Sequence, residues 1–159
     1  KFTSTSPYRF RISGRTRHFI NAFGEEVIVE NAEKAIQFAA EHTDAMISNF
    51  TAAPVYFDGS GSKGAHEWVV EFQKEPADPN EFNRLVDEQL REINSDYDAK
   101  RHKGLALIEP IIHHAPHGLF EKWMRKRGKL GGQHKVPRLS NSREYLDELL
   151  EMIQSAEAQ

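Results

Sequence analysis

The chain has 159 residues, no cysteine and a formal net charge of −3, which is the length of one domain with enough chain to bury a real core. Hydrophobic residues at 38% and charged ones at 28% fit the soluble globular class, and the lack of cysteine excludes disulfides, thiolate nucleophiles and Cys-type zinc sites. No apolar run approaches the roughly 18 residues of a membrane span and no signal-peptide pattern opens the sequence, so a cytoplasmic setting without a membrane partner is expected.

The charge is unevenly spread. Lys100 to Arg138 carries ten Lys/Arg against two Glu, a local +8, while the remainder of the chain carries −11. A basic region on an acidic chain suits an anionic ligand or a charged docking face better than bulk nucleic-acid binding. The chain opens without Met in the polar run K-F-T-S-T-S-P, and the expectation is a piece of a longer protein.

Phe2 to Pro7 reads as a polar linker. Tyr8, Phe10 and Ile12 alternate with Arg9, Arg11 and Ser13, the period of a half-buried strand. A Gly14-Arg15-x-Arg17 joint follows, whose two arginines at i and i+2 can form an anion-binding fork if the backbone is extended. His18 to Phe23 is a second strand, and Gly24-Glu25-Glu26 turns the chain. Asn31 reads as the N-cap of a helix to about Glu41, with Ala32, Ala35, Ile36 and Ala39 at helical spacing.

Ile47 to Phe57 reads as a strand in which Pro54 requires an edge or a bulge. The loop Asp58 to Gly64 joins it to a strand from His66 to Phe72, giving an antiparallel hairpin with Trp68 and Val70 on one side and Val69 and Glu71 on the other. Asp78-Pro79-Asn80-Glu81 is a helix start, with Asp as cap and Pro at the first helical position. Phe82, Leu85, Val86, Leu90, Ile93 and Tyr97 then form one stripe. Asp98 to Gly104 reads as a basic loop and Leu105 to Ile112 as an apolar strand. Gly118 to Arg127 reads as a short helix with Leu119, Phe120 and Trp123 inward. Lys129 to Ser140 is a glycine-rich basic loop, and Arg143 to Gln154 a last helix capped by Ser142.

From His18 the order is βαββαβ followed by two helices. This predicts an α+β fold with an antiparallel or mixed sheet of ferredoxin-like order, an added N-terminal strand and helices over one main face.

Four constellations could carry chemistry. Gly128 to Leu139 offers Lys129, Lys135 and Arg138 on a flexible loop, able to deliver a cation to a phosphate or simply to lie solvated; it is not a P-loop, since G-x-x-x-x-G-K-[ST] is absent. His113, His114 and His117 invite a metal reading, but the first two would point to opposite faces of a strand and no carboxylate except Glu109 stands near, so no metal site is expected. Arg125 to Arg127 beside Trp123 could suggest nucleic acid, yet cations at a helix end favour the macrodipole and the RNP signature is missing, so no nucleic acid is expected. Glu25-Glu26 with Glu30 lacks a catalytic partner at useful spacing and reads as solvated.

The run from Gly14 to Ile36, G-R-T-R-H-F-I-N-A-F-G-E-E-V-I-V-E-N-A-E-K-A-I, resembles the start of the small C-terminal domain of adenylate-forming enzymes, whose pattern there is Gly-Arg-x-Asp-Asp-x-Ile-Lys-x-x-Gly. Together with Gln133-His134-Lys135-Val136-Pro137-Arg138, about 120 residues later, it is similar to the auxin-responsive-promoter family of acyl-acid amido synthetases, in its bacterial branch. The resemblance covers nearly the whole chain.

It implies a two-step ligase, in which a carboxylic acid and ATP, with Mg2+, give an acyl-adenylate, and an amine or amino acid then displaces AMP. Conjugation to coenzyme A is a neighbouring outcome in the same superfamily, and a stand-alone ligand-binding or nucleic-acid-binding module remains an alternative of a different class. On this resemblance residues 1–13 are a linker and first strand from an N-terminal domain, and residues 14–159 are the mobile C-terminal domain. Gly14, Arg15 and Arg17 match the hinge, with Arg17 standing where the wider pattern has Asp. Lys135 matches the catalytic lysine of adenylation, and Arg15, Lys135 and Arg138 are implied as phosphate-binding. Gly24, with Glu25, matches the turn that approaches the acceptor channel. The partner implied is the chain's own N-terminal adenylation domain, which would hold most of the ATP and Mg2+, and the isolated C-terminal domain is expected to be inactive.

Overall fold

The computed structural model describes residues 2–5, 8–10, 18–128 and 136–157. Phe2 to Pro7, expected as a linker, contributes instead a strand. β1 (Phe2–Thr5) pairs antiparallel with β2 (Tyr8–Phe10), Phe2 opposite Phe10 and Thr5 opposite Tyr8. Threonine and aromatic residues favour a pleated backbone, and that preference outweighs the polarity of the run.

β3 (Phe19–Ile20) and β4 (Val27–Ile28) form a second short antiparallel ladder around the Gly24 turn, and α1 (Val29–His42) follows at once. Asn31 lies inside the helix rather than at its N-cap. Its Oδ1 accepts from the Ile28 backbone N–H at 3.2 Å, so it caps by reaching back. Ala32, Ala35, Ile36 and Ala39 are buried, as their spacing predicts.

The main sheet is β5 (Met46–Tyr56), β6 (Gly64–Lys74) and β7 (Ile111–Ala115), in that order. β5 and β6 are the expected hairpin, with Ala52 opposite Trp68 and Pro54 opposite His66, and Pro54 sits on the edge strand as required. β7 pairs with β6 in parallel, which demands a crossover. That crossover is α2 (Pro79–Ile93) and α3 (Ser95–Arg101). Asp78 caps α2, accepting from Asn80 N at 2.9 Å and Glu81 N at 3.1 Å.

The stripe that runs on to Tyr97 in sequence is broken at Asn94. This residue leaves helical geometry at φ −136° and caps α3 by accepting from Tyr97 N at 2.8 Å. The expected basic loop Asp98–Gly104 is therefore the end of α3 plus a 3-10 turn at His102–Gly104. The expected strand Leu105–Ile112 is displaced. Leu107 makes a single parallel bridge to Gly64, and the ladder proper begins at Ile111, just past Pro110, which has no N–H to donate. α4 (Leu119–Lys126) and α5 (Glu144–Glu157) close the domain, with Ser142 Oγ accepting from Glu144 N at 3.3 Å.

The α+β class stands as the sequence predicts, with β1, β4 and α3 added to the expected order, but the helices cover both faces of the sheet. Trp68, Val70 and Phe72 of β6 pack with Ala32 and Ile36 of α1 and Phe82, Val86 and Leu90 of α2. Val69, on the opposite face, packs with Phe120 and Trp123 of α4 and Leu146 and Leu149 of α5. β6 is accordingly buried without interruption from Gly64 to Phe72. Wholly buried Trp68, Phe82, Leu90 and Leu149 each contribute about 1.5–3 kcal/mol relative to exposure. No helix among the described residues is long and apolar enough to cross a membrane.

Candidate functional site

The Gly24 turn is held from beneath. Gly24 has φ +85°, a left-handed value that favours glycine. Glu25, expected to be solvated, is fully buried. Its carboxylate accepts from Phe23 N at 2.7 Å and Ala22 N at 3.2 Å, and from His66 Nε2 on β6 at 2.8 Å. Burial alone would raise its pKa. The hydrogen bond and charge of His66, with the turn's own amides, outweigh that and hold the carboxyl below its ordinary value. Glu26 is the exposed member of the pair; Asn94 Nδ2 donates to its carbonyl at 3.3 Å, pinning the turn to the cap of α3.

The end of the Lys-bearing loop is stitched to the same region. Thr51 Oγ1 donates to the Pro137 carbonyl at 2.7 Å, Ala52 N to the Arg138 carbonyl at 3.0 Å, and Ser140 N to the Ala52 carbonyl at 3.1 Å. Leu139 thereby bridges β5 in parallel. Asn141 then spans to β3: its Oδ1 accepts from Asn21 N at 3.0 Å and its Nδ2 donates to the Phe19 carbonyl at 3.2 Å. Two stretches some 120 residues apart in sequence are thus direct neighbours. Arg138 is half-buried, its guanidinium 4.5 Å from the Phe50 ring centroid and donating to the Phe50 carbonyl at 3.3 Å. Burial pushes its pKa down, against the favourable charge of Glu33.

The start of that loop is fixed by Arg127. It donates to Glu148 at 2.9 and 2.7 Å, pairs with Glu144, and stacks 4.6 Å from Tyr145 and 5.1 Å from Trp123. This arginine, read in sequence as a member of a basic run, is an internal clamp between α4 and α5.

The histidines diverge as their strand positions predict. His113 pairs with Glu67 at 2.8 Å, which Arg143 also contacts at 2.7 Å. His113 and Arg143 hold the Glu67 carboxyl below its ordinary value against burial. His114 faces the other way, 3.1 Å from Glu75 and 4.8 Å from the Phe72 ring. Among the described residues no three His, Asp or Glu side chains gather where a metal ion could be held.

Gly14, Arg15, Arg17 and Lys135 lie outside the described residues. Of the remaining site residues, Gly24 and Glu25 sit on the turn and Arg138 on the bridge beside it. Sequence reasoning missed His66 and Asn141. His66 and Asn141 act through contacts across 41 and 120 residues, which no local pattern records.

The sequence pattern of the GH3 family C-terminal domain matches residues 30–144. No curated protein matches the chain. Among solved structures, one titled GH3.15 acyl acid amido synthetase superposes on 88% of this chain with TM-score 0.67 and 21% identity. Another, titled AtGH3.15 acyl acid amido synthetase in complex with 2,4-DB, does so with TM-score 0.64 at the same identity and coverage. The chain spans 26% of the length of each.

Proposed function

Because the chain belongs to the GH3 family as its C-terminal domain, we propose that it is the mobile domain of an ATP-dependent acyl-acid amido synthetase, working on an N-terminal adenylation domain of the same protein. The observation that carries this reading is the family match across 30–144, joined to a fold shared with an acyl acid amido synthetase.

In the first step a carboxylate oxygen of the acid attacks the α-phosphorus of ATP and pyrophosphate leaves. Lys135 is assigned to stabilise the charge that builds on the phosphate oxygens. Arg15 contributes a second cation. Arg138 supports the same phosphates chiefly by anchoring the loop, since its guanidinium is engaged with Phe50. Mg2+ and most of the ATP contacts are assigned to the N-terminal domain of the same protein. Gly14, Arg15 and Arg17 form the hinge about which the domain turns. In the second step the amine of an amino acid attacks the acyl carbonyl, AMP leaves and the nitrogen loses a proton. The Gly24–Glu25 turn then faces the acceptor channel.

The test uses the full-length enzyme. Lys135→Ala should slow acid-dependent pyrophosphate exchange by about 10²–10³-fold, the usual cost of removing a preorganised charge donor, and slow amide formation from preformed acyl-adenylate far less. Equal losses in both half-reactions would overturn the lysine's assignment. The domain alone should form no amide from acid, ATP and amino acid.

A further inference from the structure

One end of the domain, where the β5–β6 hairpin turns, is closed by a circuit of contacts. Lys100 Cε and Nζ lie over Gly24, each 3.4 Å from where a Cβ on that residue would stand. The Lys100 carbonyl accepts from Leu107 N at 3.1 Å, and the Ala106 carbonyl accepts from Gly64 N at 2.9 Å. Gly64 pairs with Tyr56, whose ring is 5.2 Å from that of Phe23, the neighbour of Gly24. Around this circuit Tyr56, Phe57, Leu105 and Ile108 are 45, 51, 65 and 46% exposed, an apolar rim that the domain itself does not cover.

Lys100 differs from the charged residues near it. Arg101 is committed to Asp87, Asp98 to Arg91, and the Glu25 carboxylate is turned inward to His66. The half-buried Lys100 bonds to no carboxylate among the described residues. An ammonium partly withdrawn from water without a counter-charge is ready to gain from an anion. Gly24, at a φ that favours glycine, keeps the space beside that ammonium free of a side chain.

We propose that Lys100 binds the α-carboxylate of the acceptor amino acid, with the apolar rim of Tyr56, Phe57, Leu105 and Ile108 taking the acceptor's side chain. This makes Lys100 the residue that selects amino acids over simple amines. The proposal rests on the reading that the Gly24 turn faces the acceptor channel of an amido synthetase.

The experiment compares an amino acid with its carboxamide as acceptors for the full-length enzyme carrying Lys100→Ala or Lys100→Arg. Pyrophosphate exchange without acceptor is measured first, and should be unchanged in both variants. Lys100→Ala should raise KM for the amino acid about tenfold or more, as expected for loss of a hydrogen bond to a charged group, leave KM for the carboxamide within about twofold, and so abolish the preference between them. Lys100→Arg should retain most of that preference. A rise shared equally by amino acid and carboxamide, or no rise, overturns the proposal. A wild-type enzyme that forms no adenylate fails at the exchange step, before any acceptor is added. That result strikes the amido synthetase reading and the proposal with it.

Discussion

Glu25 Oε1 and His66 Nε2 meet at 2.8 Å with both side chains fully buried, joining the Gly24 turn to the middle strand of the sheet. Removing one member leaves the other without its partner in the core, a change that typically costs about 3–5 kcal/mol. Glu25→Ala also strips the acceptor from two turn amides. The expected result is a loss of that size in denaturant unfolding of the domain, with Glu26→Ala, at the exposed neighbour, within about 0.5 kcal/mol of wild type. Comparable losses at the two positions would contradict the buried role of Glu25.

Stability should fall on acidification. Glu25 and Glu67 are both held below their ordinary pKa of 4.5 in the folded state. The unfolded chain therefore binds more protons, and stability rises with pH across this range. The contribution is fully present above the unfolded value of 4.5 and is lost as pH drops through the lower folded values. Unfolding free energies measured from pH 6 down to about pH 2 should show a positive slope below pH 5, weakened in Glu67→Gln.

Gly64 and Gly59 should differ widely in their tolerance of alanine. A Cβ at Gly64 would stand 1.9 Å from the Val55 carbonyl oxygen and 2.6 Å from the Phe23 ring, so Gly64→Ala must break the hairpin register and should cost at least about 3 kcal/mol. Gly59 has φ +65° and nothing within 4 Å, and Gly59→Ala should cost only about 1 kcal/mol for its left-handed backbone. Thermal melts of the two variants check this ordering.

Asn141→Ala removes both hydrogen bonds that tie the end of the lysine loop to β3. Stability should drop by about 1–3 kcal/mol. On the role proposed for Lys135, pyrophosphate exchange by the full-length protein should fall about tenfold or more, since small misplacements of a catalytic group are costly, with a smaller effect on transfer from preformed adenylate. Equal effects on the two steps would show that Asn141 supports the fold without positioning the loop.

The sequence carried what is local. The cap and proline of α2, the alanine face of α1, the β5–β6 hairpin and the opposite-facing histidines all follow from short-range spacing and are found in the structure. What it concealed depends on distant partners. The polar letters His66, Glu67 and Glu71 within β6 suggest a half-exposed strand, yet each is buried and hydrogen-bonded to a remote group: Glu25, His113 with Arg143, and the Phe120 amide. That is why the second helical layer was not foreseen. The break at Asn94 leaves no trace in the apolar stripe because Leu90 before it and Tyr97 after it are both buried. At the candidate site Gly24 and Arg138 were legible as residues, whereas their adjacency, made by Asn141 and the Leu139 bridge, was not.

β6 serves two helical layers at once. Neither layer can peel away without stripping the strand the other depends on, so the domain should open as one cooperative unit. Amide protons of β6 should be among the last to exchange with solvent, and those of α2 and α5 should share one opening free energy. Under the hinge motion proposed above, such stiffness would let torque applied at one end be transmitted to the other rather than absorbed by bending in between.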